Sequence, residues 1–160
     1  MRKIVLYYSQ ACGNTRRIAE MIQKETGADI KAIDTVIPYS GSYNSIVSQG
    51  QEEVNKGFKP EIKPLAVDLA EYDEIIIGTP TWWYTMAPAM LTFLSNTDLC
   101  NKNVALYQTH GGWPGHTLED MKALCGKARI ISEYAVQFDS EGGDHLETSE
   151  KEIKSWIKTL

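Results

Sequence analysis

The sequence predicts an α/β protein with a doubly wound, five-stranded parallel sheet in a three-layer α/β/α arrangement. Five short apolar segments are typical of strands that helices cover on two faces, and helical patterns alternate with them. Because right-handed crossovers between parallel strands place helices on both sides of a sheet, this alternation favours the doubly wound class. The 160 residues contain no internal repeat and no linker, so residues 1–160 are expected to form a single domain.

The first half of the chain supplies three of the predicted strands. Residues 4–8 form a continuous apolar run, and a helix follows in which Ile18, Met21 and Ile22 recur at helical spacing before Gly27 ends it. A short strand is predicted at residues 29–33. The β-branched run of residues 74–77 predicts a central strand at 73–78. Between these two strands, residues 38–64 are rich in Gly, Pro and Tyr, and within them 44–56 could form a helix.

The second half continues the alternation. A helix is predicted at residues 87–94, where Pro88 lies in the first turn and its missing N–H does no harm. Strands are predicted at 103–108 and 129–136, with a helix at 117–124 between them. A last helix is predicted at 149–160 from the spacing of its apolar residues, with Ser149 or Thr148 as N-cap and Glu152 completing a capping box.

Charge and cysteine usage exclude several functional classes. The net charge is −5, and the Lys and Arg residues do not cluster, which disfavours nucleic acid as a partner. No apolar run approaches the ~20 residues of a membrane span, and no secretion signal is recognised, so a cytoplasmic protein that does not bind membranes is expected. Cys12, Cys100 and Cys125 lie far apart without a C-x-x-C motif, so neither a disulfide framework nor a metal site is predicted.

Three unusual segments lie where such a sheet binds its ligands. Ligands of open parallel sheets bind outside the carboxyl ends of the strands. The segments that follow the first, third and fourth predicted strands are residues 9–15, 80–85 and 109–115, here called the first, second and third corners. The three corners are therefore expected to meet at one edge of the sheet and to form one binding site.

The first corner predicts an anion site. Its residues are Ser9, Gln10, Ala11, Cys12, Gly13, Asn14 and Thr15. Small residues between a strand and a helix leave backbone amides unpaired at the positive end of the helix dipole. The segment has no Lys and matches neither a nucleoside-triphosphate loop nor a dinucleotide fingerprint, which favours a phosphate monoester. The alternative is an ordinary tight turn with Asn14 as the helix cap.

The second and third corners predict a flat ligand. The second contains Pro80, Thr81, Trp82, Trp83 and Tyr84, and the third contains Thr109, His110, Gly111, Gly112 and Gly115. Three successive aromatic side chains could cover a planar heterocycle, or they could cap the core or contact another subunit. The glycines allow the backbone to approach the edge of such a ring. No nucleophile or carboxylate motif accompanies His110 or His116, so no catalytic residue is predicted.

In combination these segments resemble the flavodoxin family. Four segments follow the family's order and spacing over essentially the full length of the chain. They are C-G-N-T at 12–15, P-T-W-W-Y at 80–84, T-H-G-G at 109–112 and the last helix with Trp156. Y-S-G-S-Y-N at 39–44 and G-F-K-P-E at 57–61 resemble a bacterial subgroup of short-chain flavodoxins. The chain departs from the family at two positions. Gln10 stands where the family commonly has Ser or Thr, and Cys12 stands where it commonly has Thr.

The resemblance implies a strand order of 2-1-3-4-5 and noncovalent FMN. It places the phosphate on the first corner, the ring against Trp83 or Trp82, and the pyrimidine edge against residues 109–112. It also implies a carrier, expected to be a monomer, that passes electrons one at a time between a reductase and an acceptor. The net charge of −5 favours partners with basic docking faces and, together with the phosphate, a low potential for the second electron. The alternatives are an FMN-dependent NAD(P)H:quinone oxidoreductase on the same fold and a flavin-free interaction module.

Overall fold

Five parallel strands and one short antiparallel strand form the sheet of the computed structural model, which describes residues 1–10, 13–141 and 143–160. The strands are β1 (Lys3–Tyr7), β2 (Asp29–Ala32), β3 (Glu74–Trp82), β4 (Thr85–Met86), β5 (Asn103–His110) and β6 (Arg129–Gln137). The helices are α1 (Asn14–Thr26), α2 (Tyr43–Lys56), α3 (Pro88–Asn96), α4 (Thr117–Leu124) and α5 (Glu150–Ile157), with a 3₁₀ turn at Leu69–Glu71.

The order of the parallel strands is the one that the resemblance implies. The sheet runs β2-β1-β3-β5-β6, which is 2-1-3-4-5 when the five parallel strands alone are numbered, so the predicted fold class is confirmed. The sequence did not predict β4, which pairs antiparallel with the end of β3 through Thr81 opposite Met86 and Trp82 opposite Thr85. β3 and β5 also extend past their predicted ends, to Trp82 and His110, and so carry parts of the second and third corners into the sheet.

Alternate residues of the central strands pack into two separate cores. Leu6 and Ile77 lie in the core on the face that α3 and α4 cover, whereas Ile76 and Tyr107 lie in the core that α1 and α5 cover. This division follows from the period of two along a strand, which sends successive side chains to opposite faces. The outer strands β2 and β6 alternate between exposed and half-buried residues, because an edge strand is not covered by helices as the central strands are.

The helix ends follow local rules of capping. Gly13 and Gly27 adopt left-handed conformations on either side of α1. Ser149 is the N-cap of α5, since its side chain accepts the amide of Glu152 at 3.1 Å, whereas the Thr148 hydroxyl accepts the amide of Gln137 at 2.8 Å. None of the helices in the described part of the chain has both the length and the apolar composition needed to cross a membrane.

The segment between β2 and β3 folds back over the sheet. Its helix α2 packs against α3 and β3, and the hydroxyl of Thr92 in α3 donates to the carbonyl of Pro60 at 2.7 Å. A single β-bridge joins Thr35 and Ile62. These contacts hold α2 beside the carboxyl end of β3, next to the second corner.

Candidate functional site

The described residues of the three corners meet around one cavity of about 530 Å³ at the carboxyl edge of the sheet. That volume lies within the range of small-molecule binding sites. The corners supply its lining residues Gln10, Asn14, Thr15, Pro80, Thr81, Trp82, Trp83, Thr109, His110 and Gly111. The prediction that distant segments of the sequence converge at one edge therefore agrees with the geometry.

Other predicted residues lie close by but do not line this cavity. These residues are Ser9 and Gly13 of the first corner, Tyr84 of the second, and Gly112 and Gly115 of the third. Tyr84 borders an adjoining hollow of about 210 Å³, together with Trp113. Ala11 and Cys12 lie outside the described residues.

The first corner presents the start of α1 to the cavity. The helix begins at Asn14, so Asn14 is not its cap; the cap position is occupied by Gly13, whose φ is 73°. The hydroxyl of Ser9 accepts the amide of Arg16 at 3.3 Å and so satisfies one donor of the first turn. The first turn carries no acidic side chain that would neutralise the positive end of the helix dipole. This geometry suits an anion.

Three threonines join the corners to one another. The hydroxyls of Thr15 and Thr109 are 2.8 Å apart and buried, and the hydroxyl of Thr81 donates to the carbonyl of Thr109 at 3.0 Å. The buried hydroxyl of Tyr107 donates to the carbonyl of Thr15 at 2.9 Å. Thr109 is thus bonded to the first corner through its side chain and to the second corner through its backbone.

The second corner is a tight hairpin rather than a loop. Trp83 and Tyr84 are the two turn residues between β3 and β4, and their φ values are 49° and 69°. A two-residue hairpin turn with positive φ at both positions normally selects Asn and Gly, because Cβ lies too close to the backbone carbonyl in that conformation. Backbone strain of this kind costs roughly 1–3 kcal/mol per residue and concentrates at functional sites.

The two tryptophans of the hairpin have different surroundings. Trp82 is half-buried and lies edge-on to the rings of Tyr8 and Tyr39, at centroid distances of 5.9 and 5.0 Å. Trp83 is 40% exposed, and its indole N–H donates to the carbonyl of Val47 in α2 at 3.0 Å. Trp82 therefore belongs partly to the core, whereas Trp83 is a surface side chain held over the cavity by one hydrogen bond.

The third corner fixes the tautomer of His110. The amide of Gly112 donates to Nδ1 of His110 at 2.9 Å, so Nε2 carries the proton of the neutral ring. Partial burial lowers the pKa of His110 below its ordinary value, which favours that neutral form. Gly115 packs against the hairpin, and a Cβ on it would lie 2.2 Å from the carbonyl oxygen of Tyr84. That carbonyl accepts the amide of His116 at 2.8 Å.

Two walls of the cavity were missed by the sequence reasoning. The first, called the α2 wall, consists of Tyr43, Ile46, Val47 and Gly50. Gly50 allows Trp82 to pack on the helix, since a Cβ there would lie 3.0 Å from the Trp82 ring. Nothing local to residues 43–50 indicates a binding role, because the role depends on where α2 packs.

The second missed wall, called the β6 wall, consists of Phe138, Asp139 and Gly143. The Asp139 carboxylate accepts amides of Gly143, His145 and Glu141 at 2.8, 3.1 and 3.0 Å, and these bonds lower the pKa of that carboxyl. The amide group of Asn14 donates to the carbonyl of Gly143 at 3.0 Å and ties this wall to the first corner. The rule that ligands bind at the carboxyl ends of parallel strands, applied also to the strand at 129–136, would have found it.

The polar groups of the cavity are almost all uncharged. Asp139 is the one lining side chain in the described part of the chain that carries a formal charge, and neither Lys nor Arg is among those lining residues. Oδ1 of Asn14 is buried and has no hydrogen-bond partner among the described residues. The cavity thus offers helix-terminal amides, hydroxyls, one free acceptor and aromatic faces, which fits a neutral ring on a polyhydroxylated chain with an anionic end.

Comparison with known proteins gives a family match over nearly the whole chain. A family model described as flavodoxin matches residues 2–160. NAD(P)H dehydrogenase (quinone) 3 of Rhizobium meliloti is 33% identical over 103 residues, which cover 60% of this chain and 43% of the relative. Flavodoxin 1 of Escherichia coli K12 is 27% identical over 106 residues, covering 64% and 46%. The chain therefore spans about half the length of the curated relatives it matches.

Solved structures agree on the fold. A protein of Bacteroides eggerthii described as a flavoprotein has a TM-score of 0.80 and 25% identity, covering 99% of this chain and 97% of the other. A flavoprotein of Lactobacillus acidophilus, solved in complex with FMN, has a TM-score of 0.73 and 20% identity, covering 97% of both chains. At such identities the second likeness concerns the fold alone.

Proposed function

Because this chain belongs to the flavodoxin family, we propose that it binds FMN noncovalently and carries electrons one at a time, at low potential, between a reductase and an acceptor protein. The observation that carries the proposal is the single cavity lined by all three corners, with anion-binding amides at one end and tryptophans at the other. FMN has an anionic phosphate, a polyhydroxylated chain and a planar ring in that order. When bound, it supplies the redox chemistry.

The first corner is the proposed phosphate site. The start of α1 and the hydroxyl of Thr15 would hold the phosphate without a cationic side chain. The free Oδ1 of Asn14 would accept a hydroxyl of the ribityl chain. The β6 wall closes this end of the cavity through the bond between Asn14 and Gly143, which keeps water from the phosphate.

The second and third corners are the proposed ring site. The Trp83 side chain, held by its bond to Val47, would cover one face of the ring, and Trp82 would pack against its inner edge. The neutral His110 and the backbone of Gly111 would face the pyrimidine edge. Trp113 of the third corner, which is 58% exposed, borders the adjoining hollow rather than the cavity and is a further aromatic side chain that was not predicted to bind the cofactor.

The aromatic cover favours a carrier over an enzyme. Hydride transfer requires a nicotinamide ring stacked on an open face of the flavin, and Trp83 lies where it would close one face. Electron exchange with a protein partner requires only an exposed edge of the ring. A monomer in the cytoplasm, docking on partners with basic faces, completes the proposal, since the chain carries a net charge of −5.

A second candidate function is an FMN-dependent NAD(P)H:quinone oxidoreductase. The observation in its favour is the 33% identity to a relative named NAD(P)H dehydrogenase (quinone) 3. The two candidates differ in what they require of the flavin face that Trp83 would cover. The oxidoreductase requires an open face for the nicotinamide ring, whereas the carrier does not.

The proposal is tested by titrating the purified full chain with FMN, followed by stepwise chemical reduction under anaerobic conditions. We expect saturable binding of one FMN per chain and two resolved one-electron steps in the absorbance spectra. NAD(P)H oxidation with a quinone acceptor is expected to stay at background until a flavoprotein reductase is added. Rapid NAD(P)H oxidation by the chain alone would favour the second candidate, and failure to take up FMN would overturn both.

A further inference from the structure

Thr109 occupies a position that no other described residue of the site shares. It is 4% exposed at the carboxyl end of β5, its hydroxyl lies 2.8 Å from that of Thr15, and its carbonyl accepts the hydroxyl of Thr81 at 3.0 Å. One residue thus contacts the proposed phosphate site through its side chain and the proposed ring site through its backbone.

A side-chain hydrogen bond adds to the backbone pairing between the hairpin and β5. Pro80 is the register partner of Thr109 in the parallel pairing of β3 with β5 and is the last residue of β3 in that pairing. Next to it, the hydroxyl of Thr81 supplies a donor to the Thr109 carbonyl. The hairpin that carries Trp83 is therefore fastened to β5 by a side chain beside the last register pair of the two strands.

The bond to Thr15 is equally specific. Both hydroxyls are buried, and each would lose a partner if the other were replaced by a methyl group. Thr15 is the second residue of α1 and is held from the other side by the hydroxyl of Tyr107. A shift of α1 on anion binding would move the Thr15 hydroxyl and act directly on Thr109.

We infer that Thr109 is a positioning residue that couples the phosphate site to the ring site, so that occupation of either one strengthens binding at the other. This inference rests on the proposed function, because it names how the two ends of that cofactor are linked. Thr109 acts through Thr15 and Thr81 rather than by its own side chain on the ring, since its hydroxyl is already bonded to Thr15. Coupling between two sites is reciprocal in binding free energy.

Riboflavin and inorganic phosphate test the inference, because together they supply the two halves of FMN as separate molecules. The Kd of riboflavin is measured by flavin fluorescence with the full chain, in the absence and presence of saturating phosphate. In the wild type, phosphate is expected to lower this Kd about fivefold, an effect of the size that one net hydrogen bond supplies. By reciprocity, riboflavin should lower the Kd of phosphate by the same factor.

Substitutions at Thr109 or Thr81 should reduce the ratio of the riboflavin Kd without phosphate to that with phosphate, even where they also weaken binding itself. Thr109→Val keeps the shape and removes the hydroxyl, so phosphate is expected to change the Kd of riboflavin by less than about 1.5-fold. Thr109→Ser restores the hydroxyl and should restore the ratio. Thr81→Val, which breaks the other link, should lower the ratio in the same way and provides a second measurement should Thr109→Val fold poorly.

The matched control is Thr92→Val. Thr92 is also buried, at 5% exposure, its hydroxyl donates to the carbonyl of Pro60, and neither residue lines the cavity. It should lose stability to a similar extent and keep the wild-type ratio. A wild type without coupling, or a Thr109→Val variant that retains it while binding FMN, overturns the inference alone. A wild type that binds neither FMN nor riboflavin overturns the proposed function and the inference together.

Discussion

The first and second corners are both tight turns at the same edge of the sheet, but they are stabilised differently. At the first corner the left-handed residue is Gly13, with φ of 73°, which glycine adopts without steric cost. At the second, Trp83 and Tyr84 hold φ values of 49° and 69° at a cost of roughly 1–2 kcal/mol each. The first turn is specified by its own residues, whereas the second persists because neighbouring segments hold it.

Those neighbours can be named. The amide of His116 donates to the carbonyl of Tyr84, the carbonyl of Val47 accepts the indole of Trp83, and Gly115 leaves room for the turn. The third corner and the α2 wall therefore stabilise a hairpin that its own sequence disfavours. A strained turn therefore places Trp83 at the proposed ring site, and contacts with neighbouring segments offset the strain of that turn.

The largest expected effect comes from disturbing the contact between Gly115 of the third corner and the hairpin. Gly115→Ala should lower the free energy of unfolding by about 3 kcal/mol, because it adds a backbone clash with Tyr84 to the strain of a positive φ. Gly126→Ala is the matched control, since Gly126 has the same φ of 58° and nothing within 4 Å of a Cβ. Its loss should be about 1 kcal/mol. Urea unfolding followed by circular dichroism measures both, and equal losses would show that the clash with the hairpin is unimportant.

The next effect separates the two tryptophans of the hairpin. Trp83→Ala should weaken FMN binding roughly 10- to 100-fold, the loss expected for one stacked aromatic face. It should lower the free energy of unfolding by about 1 kcal/mol, because the side chain is 40% exposed and loses one hydrogen bond, to Val47. Trp82→Ala should instead lower the free energy of unfolding by about 2 kcal/mol, because the ring packs against Tyr8 and Tyr39. FMN titration and urea unfolding of both variants test this division. The reverse pattern would identify Trp82 as the stacking residue.

A smaller pair of effects should have opposite signs at the two turns. Gly13→Ala should destabilise the chain without cofactor by about 1 kcal/mol, because alanine is strained at this φ although its Cβ has open space. Tyr84→Gly should stabilise the same form by about 1 kcal/mol, because it removes strain from an exposed residue. Both changes are measured by thermal unfolding without FMN. A destabilised Tyr84→Gly variant would mean that the hairpin is not strained.

The smallest effect concerns pH at the third corner. Burial lowers the pKa of His110 from its ordinary 6.5, so the neutral ring stabilises the fold fully above about pH 6.5 and this contribution is lost as pH falls through the lower folded value. Protonation also removes the acceptor of the Gly112 amide. His110→Asn, which cannot take up this proton, should show a flatter stability profile between pH 7 and pH 5, as measured by urea unfolding. An unchanged profile would contradict the role of His110.

Most of the fold could be predicted from local patterns. The run of isoleucines in β3, the helical spacing of Ile18 and Ile22, and the cap at Ser149 each depend on residues adjacent in sequence. The hairpin turn could not be predicted in this way, because Trp83 and Tyr84 have the wrong local preference for it. The prediction of an irregular loop at 80–85 was wrong in detail since pairing with β4 extends β3 to Trp82.

The sequence by itself determined the apolar strands of the sheet and the edge at which the three corners meet, because buried apolar runs, glycine and proline act locally and the carboxyl ends of parallel strands share one edge. The strand order was implied only by the resemblance to the flavodoxin family. Only the tertiary structure decided the α2 wall, the β6 wall and the junction at Thr109. Those features depend on contacts such as Trp83 with Val47, Asn14 with Gly143 and Thr15 with Thr109. Such partners are separated by 36 to 129 residues, and packing rather than any local preference brings them together.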